Sequence, residues 1–182
     1  DLELSLHSFM AVLDREEFDD LEAGIVLQAY IPDSRAALET LVEWANARYA
    51  RTGTGMKIRL VKGANLAMEA VEAELHDWQP APYPSKADVD ANYKAMLEDA
   101  LVNAAPGALR IGVASHNLFE VAWALTLRDE LGAHDRIEIE MLEGMAPPQS
   151  RAVRNDAGGL LLYSPIVEQS ERQRTHRREE AW

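Results

Sequence analysis

The chain has 182 residues, 47% of them apolar, enough to bury a core and too many for a disordered segment. Its formal net charge of −13 argues against nucleic acid or an anionic membrane as the main partner. The absence of cysteine excludes disulfides, thiolate metal sites and a cysteine nucleophile, and no apolar run approaches the ~20 residues of a membrane span.

The chain opens on Asp1 with no signal-peptide pattern, already inside an amphipathic helix, as expected of a piece of something longer. In "LSLHSFMAVLD" the residues Leu6, Phe9, Met10 and Leu13 share one helical face. "GIVLQAY" (24–30) is a short apolar strand, stopped by "IPDS", where Asp33 or Ser34 can cap a helix carrying Leu38, Leu41, Val42 and Ala45 inward. "KIRLVKG" (57–63) is a second strand. The helix behind it, "ANLAMEAVEAELHDW", is expected to turn Met68, Val71 and Leu75 to the core. After a proline-rich loop, Ser85 and Asp88 form a capping-box-like start to a helix presenting Tyr93, Met96, Leu97, Ala100 and Leu101.

"LRIGVASHN" (109–117) is a third strand, with Asn117 placed to cap "LFEVAWALTLRDELG" and Gly132 to end it. "IEIEMLEGM" (137–145) is a fourth strand, "APPQSRAVRNDAGG" a loop and short helix, and "LLLYSP" (160–165) a fifth strand. Trp44, Trp78 and Trp123 read as helix-face packing. Strands alternating with helices imply right-handed crossovers and a parallel sheet. A doubly wound sheet and a (β/α)8 barrel both fit, and the absence of GxGxxG after the first strand lowers the former. The expected fold is α/β, a partial (β/α)8 TIM-type barrel of about five parallel strands with flanking helices, short of the eight strands and ~250 residues of a closed barrel.

In parallel α/β folds ligands meet the carboxyl ends of strands, here Gln28, Arg59, Lys62, Ser115, His116, Asn117, Glu140, Glu143 and Tyr163. Each has a plainer reading. Arg59 must meet an anion or strong acceptors, either a ligand or a carboxylate such as Glu140. Lys62 and Gly63 precede a helix opening at Ala64 whose free N–H groups can hold a phosphate, or Lys62 is merely solvated. Gln28 is a ligand contact or a satisfied core amide. His116 is a site residue or a hydrogen-bonded structural histidine. Glu140 and Glu143 are an acid/base pair, or Glu140 is the counter-charge of Arg59. The other histidines, His7, His76, His134 and His176, form no ligand set, and no metal is expected.

Taken together, "GIVLQAYIPDS", "IRLVKGANL", "VASHNLFEVAWAL", "MLEGMAP" and "LLLYSP" resemble the proline dehydrogenase family, in the branch found in bacterial proline utilization A proteins. The similarity runs from residue 1 to about 167, leaving 168–182 as a divergent polar tail. The resemblance implies a distorted (β/α)8 barrel holding FAD, which oxidises L-proline to Δ1-pyrroline-5-carboxylate and passes electrons to a quinone. It implies a cytoplasmic setting, at most peripheral to the inner membrane, and in this branch a fused aldehyde dehydrogenase domain that oxidises the product.

The family's residues carry over by motif. Arg59 matches the arginine beside the flavin ring, and is the expected catalytic residue. Gln28 matches a glutamine at the ring's polar edge. Val61, Lys62, Gly63 and Ala64 match the segment and turn that hold the cofactor. Ser115 and His116 match another FAD-contacting pair, and Leu142 and Tyr163 the walls of the proline pocket. Asn65 stands where some branches carry tyrosine. The first three barrel strands, with a lysine and an aspartate near the substrate, are expected to lie outside this chain, so that the segment alone is not expected to turn over proline. Arg177 and Arg178 fall one residue short of the family's Arg-Arg pair, which holds the proline carboxylate bidentately. No apolar residue lies between Glu168 and Glu180, so this stretch has no face to bury. Two other readings of the chain are a Schiff-base aldolase acting through Lys62 and a non-catalytic relic or interaction module.

Overall fold

The computed structural model describes residues 2–164. The elements run α1 (Leu2–Leu13), a short 3₁₀ turn (Glu16–Phe18), β1 (Gly24–Gln28), α2 (Ser34–Thr52), β2 (Met56–Val61), α3 (Leu66–His76), α4 (Lys86–Asn103), β3 (Leu109–Ala114), α5 (Leu118–Glu130), β4 (Ile137–Leu142), α6 (Pro147–Ala157) and β5 (Leu161–Tyr163). All five strands are parallel and lie in chain order β1-β2-β3-β4-β5. A doubly wound sheet reverses its strand order at a switch point. None occurs among these five strands, so the sheet is a sector of a barrel.

Strand alternation gives the sheet two different faces. Leu27, Ile58, Leu60, Ile111, Val113, Ile139 and Met141 are buried beneath a layer in which α1 packs on α2, α2 on α4, α4 on α5 and α5 on α6. Val26, Gln28, Lys57, Arg59, Val61, Arg110, Gly112, Glu138, Glu140 and Leu142 alternate with them and take the opposite face.

Side-chain caps open two of the described helices. Ser85 Oγ accepts from the Asp88 N–H at 3.1 Å, opening α4, and Asn117 Oδ1 accepts from the Phe119 N–H at 3.0 Å, opening α5. Tyr93, Met96, Leu97, Ala100 and Leu101 are buried as their spacing predicts. At α2, Asp33 holds the cap position without a side-chain bond, while Ser34 Oγ donates to the Gln28 carbonyl at 2.7 Å.

The expectation for α3 is overturned. It begins at Leu66, two residues past Ala64, and Met68, Val71 and Leu75 are exposed, with only Ala73 of the helix buried. The helix-layer place between α2 and α5 is taken by α4. Trp78 is likewise exposed and stacks on His76 at 4.5 Å, whereas Trp44 packs edge-on against Phe9 at 5.9 Å. No described helix is long and apolar enough to cross a membrane.

Candidate active site

Polar side chains form two clusters, one on the open face and one at the carboxyl ends of the strands. The first spans β2, β3 and β4. Arg59 Nε donates to Glu140 Oε2 at 2.6 Å, and Lys57 Nζ stands 2.6 Å from Glu140 Oε1 in an ionic contact. Lys57 also donates to Glu138. Glu140 is only 2% exposed, so its charge is tolerated because two cations flank it. Burial opposes the charge on Lys57, but the contacts to Glu138 and Glu140 outweigh it and hold the ammonium above its ordinary pKa.

Gly112, between β2 and β4, makes room for this cluster. A Cβ there would stand 2.2 Å from Glu140 Oε1 and 2.9 Å from Lys57 Cε. The Arg59 guanidinium carbon lies 4.9 Å from the centre of the Tyr163 ring, within cation–π range. This brings Arg59, Glu140 and Tyr163 together from three strands. Arg59 therefore lies on the sheet face away from the helix layer, and its plainer partner, Glu140, is also present.

The second cluster lies just beyond the strand ends. Lys62 donates to Asp90 of α4 and stands 2.5 Å from Oε1 of Glu120 in α5. Ser115 Oγ donates to Oε2 of the same Glu120 at 2.7 Å and accepts from the Asn117 N–H at 3.1 Å. Glu120 is 1% exposed. Burial works against the Lys62 charge, and Asp90 and Glu120 more than compensate, raising its pKa above the ordinary value. Such an ammonium lacks the free amine a Schiff base requires, so the aldolase reading finds no support here.

Gly63 (φ +139°) is covered by Tyr30, whose ring carbons would lie 2.5 Å from a Cβ at that position. Its left-handed φ and this close ring make glycine necessary at the turn. Asn65 caps α3 without a side-chain bond, so it leaves the first N–H groups of α3 uncapped, and no side chain among the described residues replaces it.

His116 follows β3. Its Nε2 accepts from the Leu142 N–H at 2.9 Å, which places the ring proton of the neutral form on Nδ1. That Nδ1 is buried and bonded to no described residue. Burial lowers the His116 pKa, keeping the ring neutral. Gln28 and Val61, paired across β1 and β2, are half-buried on the same face as Arg59. Leu142 pairs with Tyr163 at the end of β4 and β5. Ala64 is exposed. Glu140 and Glu143 do not pair: Glu140 belongs to the Arg59 cluster, and Glu143 accepts from Ser164. Arg177 and Arg178 lie outside the described residues. No group of acidic, histidine or cysteine side chains among the described residues could hold a metal.

The proline dehydrogenase family model matches residues 1–172. The chain belongs to the proline dehydrogenase family. Two solved relatives are proline utilization A proteins. That of Corynebacterium freiburgense is 48% identical with a TM-score of 0.88, covering 100% of this chain and 19% of its own. That of Bdellovibrio bacteriovorus, solved after inactivation by N-propargylglycine, is 32% identical with a TM-score of 0.86, covering 97% of this chain and 18% of its own. Proline dehydrogenase 2 of Bacillus subtilis (strain 168) is 30% identical over 112 residues, which are 61% of this chain and 32% of that protein. The chain thus spans about a fifth of the solved proline utilization A proteins and a third of the curated relative.

Strand-end reasoning missed Lys57, Glu138, Gly112, Asp90 and Glu120. The alternations Lys57-Ile58-Arg59 and Glu138-Ile139-Glu140 put two like charges on one face of each strand and could have pointed to the first cluster. Nothing local marks Gly112, Asp90 or Glu120.

Proposed function

We propose that this chain supplies part of the cofactor and substrate site of an FAD-dependent proline dehydrogenase, residues 1–167 being the barrel portion and 168–182 a polar tail. The reaction is the oxidation of L-proline to Δ1-pyrroline-5-carboxylate. The observation that carries this reading is the placement of Arg59 on the same sheet face as Gln28, joined to Glu140 and Tyr163, in a chain of this family.

The fit to a flavin dinucleotide rests on two features. One is the buried Nδ1–H of His116, a donor with no described partner. The other is the glycine turn at Gly63 leading to the first N–H groups of α3, suited to phosphate. Bound there, FAD would supply the two-electron acceptor for the hydride on the proline carbon next to nitrogen, the nitrogen giving up its proton to solvent. Arg59 then holds a fixed positive charge where negative charge develops. Gln28 offers an amide to the ring's polar edge, Val61 lines the approach, and Ser115 and His116 contact the cofactor. Lys62, Gly63 and Ala64 form the phosphate-side turn. Because the Lys62 charge is shared with Asp90 and Glu120, backbone N–H groups carry much of the phosphate contact.

Leu142 and Tyr163 wall the proline pocket, and Arg177 and Arg178 hold the proline carboxylate. Electrons pass to a quinone, and a fused aldehyde dehydrogenase domain takes the product. The setting is cytoplasmic, at most peripheral to the inner membrane.

The test is a visible absorption spectrum of the full-length protein with FAD, before and after L-proline under anaerobic conditions. A bound flavin spectrum that bleaches with proline is expected, with bleaching slowed in Arg59→Met. A colourless protein, or a flavin band indifferent to proline, overturns the reading.

A further inference from the structure

The β2 and β4 strands each present a pair of like charges, and the four meet across Gly112. Lys57 forms ion pairs with Glu138 and Glu140, and Arg59 forms one with Glu140. The cluster has two cations and two anions, so it is neutral as a unit. Glu140 is the shared member: it is 2% exposed, and each oxygen faces a different cation. Arg59 is engaged through Nε, and its guanidinium carbon stays over the Tyr163 ring.

This arrangement is not needed to bury Arg59, whose side chain retains 31% exposure. A partly exposed arginine beside one buried carboxylate would form a closed pair, its charge spent on that partner. Lys57 alters this. By standing 2.6 Å from Oε1 it neutralises part of the Glu140 charge and leaves more of the Arg59 charge directed away from the sheet. Gly112 is what permits it, since a Cβ there would come within 2.2 Å of Glu140 Oε1.

We infer that Lys57 and Glu140 are positioning residues that set, with opposite sign, the electrostatic field Arg59 presents on the open face. The inference rests on the flavin reading above and adds to it a means by which this chain tunes the cofactor's reduction potential. Glu140 holds the guanidinium in place and subtracts from its field, and Lys57 restores it. Two-electron reduction adds negative charge to a flavin, so a more positive field raises its potential and a more negative one lowers it.

The test is the flavin midpoint potential of full-length protein carrying Lys57→Met, Glu140→Gln and the double change, with flavin content and circular dichroism measured alongside. Lys57→Met removes a cation and is expected to lower the potential. Glu140→Gln removes an anion at nearly constant shape and is expected to raise it. The double variant, neutral again as a unit, is expected to return close to the parent. A purely structural role predicts loss of flavin or a shift of the same sign in both single variants. Either result, or potentials unmoved in both, overturns the inference while leaving the flavin reading intact. A parent protein that retains no flavin overturns that reading, and this inference with it.

Discussion

The backbone N–H of Leu142, at the end of β4, donates to Nε2 of His116, just past β3, at 2.9 Å. This bond ties two strand ends together at the side where the cofactor is proposed to lie. It requires an unprotonated Nε2, and burial favours the same neutral ring by lowering the pKa from 6.5. Because the folded pKa is depressed, the unfolded state takes up a proton first as pH falls. The His116 contribution is therefore fully present above the unfolded value and is lost as pH drops through and below it. Urea midpoints measured at about pH 7.5 and about pH 5.5 should differ more in the parent than in His116→Gln. Equal pH dependence in the two proteins would show that the imidazole titrates as if free.

The gap above Gly112 admits a direct test. Gly112→Ala adds a Cβ whose ideal position is 2.2 Å from Glu140 Oε1 and 2.8 Å from its Cδ. Glu140 is buried and held from both sides, so it cannot swing clear without parting from Arg59 or Lys57. Overpacking of this kind costs ~1–3 kcal/mol, against which the entropy gained by replacing a strand glycine is smaller. Chemical denaturation should show a lower midpoint at unchanged slope. A stability equal to that of the parent would mean that the ion cluster is looser than its distances imply.

The sequence displays some of these relationships and conceals others, for physical reasons. The inward face of α4 is readable because period-3.6 spacing and a Ser85–Asp88 cap point to the same helix. The spacing of Met68, Val71 and Leu75 is just as regular, yet these side chains are exposed. Periodicity tells which side of a helix is apolar, not which of two successive helices enters the layer. Arg59 and His116 are visible as polar residues at strand ends. Gly112 is not, because its role lies in the side chains of neighbouring strands, and Glu120 is hidden because its partners lie just past the ends of β2 and β3.

Lys62 and Glu120 offer a third test. Glu120 is buried, and its oxygens are satisfied by Lys62 and Ser115. Lys62→Met leaves that carboxylate with the hydroxyl alone, and breaking a buried ion pair from one side costs ~3 kcal/mol or more. Lys62→Met/Glu120→Leu removes both charges together and should recover much of the loss. The measurement is a double-mutant cycle of unfolding free energies at neutral pH. If the lysine is merely solvated, Lys62→Met will be near neutral and the coupling energy close to zero.

Arg136 provides the last test, away from the site. It is buried just before β4, and its guanidinium donates to the carbonyls of Leu101 at 3.0 Å and Ala104 at 3.1 Å, with a longer contact to Ala100 at 3.4 Å. These carbonyls close α4; that of Ala100 also accepts from the Ala104 N–H at 3.2 Å, while those of Leu101 and Ala104 lie where helix-end oxygens lack intrahelical partners and the dipole favours a cation. Ala104 adopts an extended backbone there, so no left-handed cap replaces the arginine. Charged hydrogen bonds contribute ~1.5–3 kcal/mol each, with overlap between bonds that share one group. Arg136→Met should therefore lower unfolding free energy by ~2–4 kcal/mol. Arg136→Lys should recover only part of it, because a single ammonium cannot span the carbonyls that the planar guanidinium reaches. Full recovery by lysine would mean that charge at the helix end, rather than the forked geometry, stabilises the α4–β4 junction.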